Sequence, residues 1–160
     1  MNIRHIDDID DFTFLDPGTL VDGDLTLVLV QQYPGDRAKI YVPAYIFRLE
    51  HTFRGCEMGR LALRVGNLPY MALYNGHIGY SALEEFRGNH FAARAVKRLL
   101  PLACRHGFGT LWITCSPENL ASRRTCELAG ATFIEIVDLP DDTELYQRGE
   151  RQVCRYRLDL

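Results

Sequence analysis

The chain has little with which to hold a metal. Its five cysteines, Cys56, Cys104, Cys115, Cys126 and Cys154, are scattered, with no C-x-x-C pair and no Cys/His spacing of the kind zinc sites use. An odd, dispersed set is also a poor disulfide framework, so reduced and mostly buried thiols are expected. A cationic surplus is missing too. Eighteen Lys and Arg against 21 Asp and Glu leave a formal charge of −3 and a pI near 5.9. That excludes a dense basic face, and with it nucleic acid as the main partner. No apolar run approaches the roughly twenty residues of a spanning helix, and no cationic leader with an apolar core opens the sequence. A membrane partner is therefore not expected, and cytoplasmic residence is the default. Repeats and low-complexity tracts are absent.

What is present suits one soluble catalytic or binding domain over 160 residues, with 47% hydrophobic and 24% charged content. Residues 1–23 read as an N-terminal extension, and the acidic run Asp7-Asp8-Ile9-Asp10-Asp11 as a solvated end. Leu25 to Gln31 is a nearly unbroken apolar run, as in a strand covered on both faces. Ala44 to His51 and Glu57 to Val65 read as two more strands, with Leu61, Leu63 and Val65 on one face. Met71 to Leu83 reads as a fourth strand, bulged near Gly76 and Gly79.

Phe91, Ala95, Val96, Leu99, Leu102 and Ala103 then form one broad helical stripe. Asn89 reads as its N-cap, Arg105-His106-Gly107 as its end, and Pro101 as a kink. A short buried strand over Thr110 to Cys115 and a helix over Leu120 to Ala129 follow, closed by Gly130. Thr132 to Asp138 is a sixth strand. A polar loop runs from Leu139 to Gly149, and a half-buried last strand alternates Cys154, Tyr156 and Leu158 with charged residues.

Two stretches carry chemistry. Glu85-Phe86-Arg87-Gly88-Asn89-His90-Phe91-Ala92 is a glycine-containing turn that opens a helix, and Pro117-Glu118-Asn119-Leu120-Ala121-Ser122 is a second helix start entered from a strand. Amides at a helix start are unpaired and lie at the positive end of the macrodipole, so they suit phosphate. Two such mouths on one cleft can hold a long ligand with phosphate at one end.

This arrangement resembles the GNAT superfamily of acyl-CoA-dependent N-acetyltransferases over roughly residues 24 to 160. The superfamily's phosphate motif is Gln or Arg, two residues, Gly, one residue, then Gly or Ala. Arg87 and Ala92 fill its ends, and His90 stands at the middle Gly, a position where His tolerates positive φ. The resemblance implies an α/β fold: a twisted mixed sheet of about seven strands flanked by helices and splayed between strands 4 and 5. It also implies acetyl-CoA as cosubstrate, no metal, and transfer of acetyl to a primary amine, small-molecule or protein, by direct attack. A homodimer is in keeping with the family. The competing reading is a CoA-binding or sensing module without turnover.

Site roles follow from the same resemblance. Backbone groups of Arg87, Gly88, Asn89, His90, Phe91, Ala92 and Ala93 would cradle the pyrophosphate. Tyr80, Ser81 and Ala82 match the strand that meets pantetheine, with the Ala82 amide polarising the thioester carbonyl. Asn119 and Ser122 sit at the second helix start, where Asn119 either meets the pantetheine arm or caps the helix. The carboxylate that some relatives place on the fifth strand is Thr114 here, which leaves His77 or a water chain as the base. The tyrosine that relatives place seven residues after the asparagine is Cys126 here. That thiol is either the acid or a packing residue, with Tyr80 or Tyr146 as alternative proton donors. Relatives often place two lid helices between the first two strands, but about a dozen residues separate Gln31 from Ala44. The substrate side is then open, or completed by the Leu139–Gly149 loop or a second subunit. Tyr146, Arg148 and Arg151 in that loop either face substrate or are solvated.

Overall fold

The computed structural model describes residues 12–160, so the acidic run at 7–11 lies outside the described residues. Five strands form an antiparallel meander: β1 (Leu20–Asp22), β2 (Leu25–Tyr33), β3 (Ala44–His51), β4 (Glu57–Arg64) and β5 (Ile78–Ala82). The helix α1 (Phe91–Arg105) leads to β6 (Thr110–Cys115), and α2 (Leu120–Leu128) to β7 (Thr132–Asp138). A short helix α3 (Glu144–Gln147) precedes β8 (Gln152–Asp159), which inserts between its predecessors to give the order β6-β8-β7. Among the described residues eight strands are present where about seven were expected. The extra one, β1, lies in the segment read as an extension and is joined to β2 by a two-residue turn at Gly23, whose φ is +58°.

The sheet divides where the splay was expected. No ladder joins β5 to β6; they meet only at one end, where the His77 amide donates to the Trp112 carbonyl at 2.7 Å. Beyond that bond the strands part, and α1 and α2 reach the opening. The core explains why the halves stay together. Tyr45, Phe47 and Leu49 alternate on β3, Leu61 and Leu63 on β4, and all are buried. Against them lies the stripe Phe91, Ala95, Val96, Leu99, Leu102 and Ala103 of α1, also buried. α1 continues through Pro101; Pro101 and Lys97, whose carbonyl loses its helical donor there, are both exposed, so the loss falls on the wet side. β2 is buried at its start and exposed toward its end, rather than covered on both faces.

One element departs from its expected type. Met71–Asn75 is a single π-helical turn, and the strand begins only at Ile78. The reason is tertiary. The Arg155 Nε donates to the Ala72 carbonyl at 3.1 Å, Thr114 Oγ1 to Tyr74 at 2.7 Å, and Arg64 Nη1 to Gly76 at 3.3 Å. Carbonyls that a strand would spend on its neighbour are spent on side chains from β8, β6 and β4. Gly76, at φ +68°, then lies so close to β6 that an added Cβ would stand 2.8 Å from the Trp112 carbonyl.

Candidate active site

The gap between β5 and β6 opens into two adjoining cavities. One, of about 530 Å³, is lined by Tyr80, Ser81, Ala82, Phe86, Arg87, Gly88, His90, Phe91, Ala92, Asn119 and Ser122. The other, of about 420 Å³, is lined by Arg64, Ile78, Gly79, Tyr80, Thr114, Cys115, Asn119, Ser122 and residues of the 144–150 segment. Tyr80, Asn119 and Ser122 belong to both. A ligand threaded through the gap would pass these three residues.

The first cavity is rich in unspent backbone donors. α1 starts at His90 with no side-chain cap, and Asn89 is not its cap: the Asn89 Nδ2 instead holds the Phe86 carbonyl at 3.2 Å. Among the described residues, no acceptor takes the amides from Gly88 through Ala93. Gly88 at φ +85° and His90 at φ +60° give this turn two left-handed residues, the backbone form in which successive amides can make an anion-binding nest, and the His90 side chain stays exposed. His90 therefore adopts the left-handed conformation its motif position needs. Asn89 and Ala93 do not line the cavity with side chains. Arg87 lines it, and its Nε reaches the Ala82 carbonyl at 3.4 Å.

The β4–β5 register orients the other donors. Leu83 donates to Met58 and Arg64 to His77, which makes Ser81 and Gly79 the hydrogen-bonded positions toward β4. The N–H groups of Ile78, Tyr80 and Ala82 therefore point away from β4, into the splay. On α2, the Asn119 Oδ1 accepts from the Ser122 amide at 3.0 Å, so the asparagine caps the helix. Its Nδ2 remains available to the cleft.

His77, the expected base, lies elsewhere. It is 1% exposed, stacks edge-on against Phe108 and accepts the Trp112 amide on Nδ1 at 2.9 Å. Burial pushes its pKa down to about 4, against a smaller opposing pull from the Gly66 backbone. Among the described residues Nε2 finds no partner within hydrogen-bond geometry. A sealed imidazole in contact with neither cavity cannot take a proton from an amine in the cleft. Thr114 spends its hydroxyl proton on Tyr74.

Cys126 is fully buried and lines neither cavity. Its thiol is pushed far up by its contact with Cys115 and by burial, so it keeps its proton. Of this close pair Cys115 is the acidic member, brought to about 7 chiefly by the hydrogen bond from Cys126, with Ser122 and Arg123 adding to the effect against burial. The hydroxyl that does reach this spot belongs to Tyr80. It lies 2.9 Å from Ser122 Oγ, 3.1 Å from the Ser122 carbonyl and 3.3 Å from Cys126 Sγ. Burial raises its pKa, so it stays protonated. Sequence spacing pointed to position 126; the fold brings a tyrosine there from β5 instead.

The late loop lines one side of the second cavity. Thr143 Oγ1 caps α3 by accepting from Tyr146 at 3.3 Å, and Tyr41 donates to Glu144. Arg148 lines the cavity, whereas Arg151 lies 3.9 Å over the Tyr146 ring and neither of that pair does. Arg64 and Glu150, both in the lining, had no signal in the sequence pattern. No group of three or more His, Cys, Asp or Glu is placed to hold a metal among the described residues.

The chain belongs to the GNAT acetyltransferase domain family, whose model matches residues 34–132. Among solved structures it is similar to a putative ribosomal-protein-serine acetyltransferase from Vibrio cholerae (16% identity, TM-score 0.64), covering 91% of this chain and 100% of that one. It is also similar to MccE, the microcin C7 self-immunity acetyltransferase, in complex with acetyl-CoA and AMP (18% identity, TM-score 0.58, 73% of this chain and 61% of that one). RimL, a ribosomal-protein alpha-N-acetyltransferase, in complex with coenzyme A is a third (19% identity, TM-score 0.57, 73% and 62%). The chain thus spans about three fifths of the MccE and RimL chains, and these likenesses carry the fold. No protein of curated function matches it in sequence. No helix among the described residues is long and apolar enough to cross a membrane.

Proposed function

We propose that this chain moves an acetyl group from acetyl-CoA to a primary amine by direct attack. The observation that carries the reading is the row of unspent amides from Gly88 to Ala93, in a segment that lines the same cavity as Tyr80 and Ala82 of β5 and adjoins a second cavity. Acetyl-CoA supplies a pyrophosphate, an amide-bearing arm and an electrophilic thioester. The Gly88–Ala93 amides fit the pyrophosphate, with Arg87 beside them. The Ala82 N–H, on the side of the pyrophosphate turn and lining the first cavity alone, and the Asn119 Nδ2 fit the pantetheine amides, with Ser81 and Ser122 lining the path. The Tyr80 N–H, where the two cavities join, is the donor placed to polarise the thioester carbonyl, a role the resemblance gave to Ala82.

The amine enters from the second cavity and its nitrogen attacks the carbonyl carbon. The C–S bond breaks, and the departing sulfur takes a proton from the Tyr80 hydroxyl, which Ser122 Oγ can replenish. The amine loses its proton to water through the cavity mouth, since neither His77 nor Thr114 is placed to accept it. Alignment of amine and thioester supplies much of the rate. The acceptor is a small-molecule or protein amine.

Calorimetric titration with acetyl-CoA tests the cleft. Micromolar binding is expected, weakened about tenfold in Gly88→Val, because a β-branched residue at positive φ costs about 1–2 kcal/mol. Thiol release with an amine panel then separates turnover from a CoA-binding module. Tyr80→Phe should lower kcat about a hundredfold with acetyl-CoA affinity unchanged. Absence of acetyl-CoA binding would refute the proposal.

A further inference from the structure

The second cavity has a charge pattern that the transfer chemistry leaves unused. In its lining the Arg64 guanidinium lies against Gly79. A Cβ added at Gly79 would stand 3.2 Å from Nη2 and 3.5 Å from Nη1. Nη1 reaches two backbone carbonyls, Asn75 at 3.5 Å and Gly76 at 3.3 Å. Among the described residues no carboxylate pairs with Arg64, and Nε and Nη2 find no acceptor. A guanidinium cannot shed its charge on burial, and its fork matches a carboxylate two-point. Glu150, also in the lining, has a carboxylate with no partner among the described residues. One unpaired cation and one unpaired anion thus share a cavity of about 420 Å³.

We infer that the acceptor is an amino-carboxylate small molecule, its carboxylate held by Arg64 and its ammonium drawn in by Glu150. This deepens the acetyltransferase reading and rests on it. The carboxylate leaves Arg64 charged and paired, while the amino group lies toward the Tyr80–Asn119 end, where the cavities join. A side chain at Gly79 would press on the guanidinium, which would have to give by a few tenths of an ångström. A peptide N-terminus offers the amine without the nearby carboxylate, so Arg64 disfavours it. Charge complementarity therefore selects the acceptor, and the lid that the short β2–β3 connection lacks is replaced by the 144–150 segment.

The test is thiol release from acetyl-CoA with the twenty common amino acids, each beside its methyl ester. At least one free amino acid should be acetylated, with its ester at least tenfold lower in kcat/KM, the loss lying in KM. Arg64→Met should erase that preference, and Arg64→Lys should restore part of it. Because Arg64 also holds the turn before β5, Glu150→Gln gives a second variant that breaks no hydrogen bond. It should raise KM for the amino acid several-fold with acetyl-CoA affinity unchanged. Esters acetylated as well as the acids would overturn the inference and leave the transferase standing. So would an inert panel with simple amines still acetylated, or an Arg64→Met protein that keeps the preference. Loss of acetyl-CoA binding to the unaltered protein would take down both.

Discussion

Protonation of His77 should weaken the fold without touching catalysis, and the size of the effect follows from its surroundings. The ring is buried, its Nδ1 is committed to the Trp112 amide, and its pKa falls from 6.5 to about 4. A histidine whose folded pKa is depressed carries no penalty above about pH 6.5, where it is neutral in both states. As pH drops through 6.5 the unfolded chain takes up the proton first, and stability falls until about pH 4, below which the loss is constant. At about 1.4 kcal/mol per pH unit the gap amounts to about 3 kcal/mol, a sizeable part of a domain's usual 5–15 kcal/mol. His77→Asn is the informative variant, because the Asn carbonyl oxygen can accept the Trp112 amide yet does not titrate. It should cost about 1–2 kcal/mol at pH 7 through lost packing on Phe108, and the difference from the parent should shrink or invert by pH 4. Urea unfolding followed by the single tryptophan, Trp112, reads this directly, since its backbone is the His77 partner. Parallel stability curves for the two proteins between pH 7 and 4 would refute the reasoning. A pH–rate profile that lost its acidic limb in His77→Asn would return His77 to the role of base.

Two further outcomes separate capping from ligand contact and buried from available thiols. Asn119→Ala should cost about 1 kcal/mol of stability and also weaken acetyl-CoA, whereas Asn119→Asp should keep the cap and lose only the Nδ2 donor. Equal acetyl-CoA affinity in Asn119→Asp, measured by calorimetry, would remove Asn119 from the cofactor path. Alkylation by iodoacetamide should reach Cys115 with a midpoint near pH 7, before the buried Cys126 and Cys154, with acetyl-CoA protecting it. A midpoint near 9, read by mass spectrometry of the labelled peptides, would show that the Cys126 contact does not acidify it.

Local signals carried most of the architecture. The α1 stripe, the alternation on β3 and β4 and the Arg87–Ala92 turn are properties of neighbours in sequence, because helix and strand periods are set within a few residues. His90 was legible in the same way: its motif position asks for positive φ, and the residue takes it up at +60°. The segment from Leu139 to Gly149 read as a polar loop, but it holds α3, a single short turn with Thr143 as its cap.

Other features depended on residues far apart in the chain. Met71–Asn75 looked like a strand because its apolar run is ambiguous at short range, and side chains from β4, β6 and β8 decided it. His77 has the side chain of a base, yet Trp112 and Phe108 bury it, and a pKa depends on that burial rather than on residue type. Position 126 pointed to a thiol, while the hydroxyl in that space arrives from Tyr80, forty-six positions earlier. Arg64 and Glu150 share a cavity only because β4 and the segment after α3 converge on the splay. Periodicity and turn chemistry are local and stand in the sequence; the state of a proton and the company of a charge depend on what the fold brings within a few ångströms.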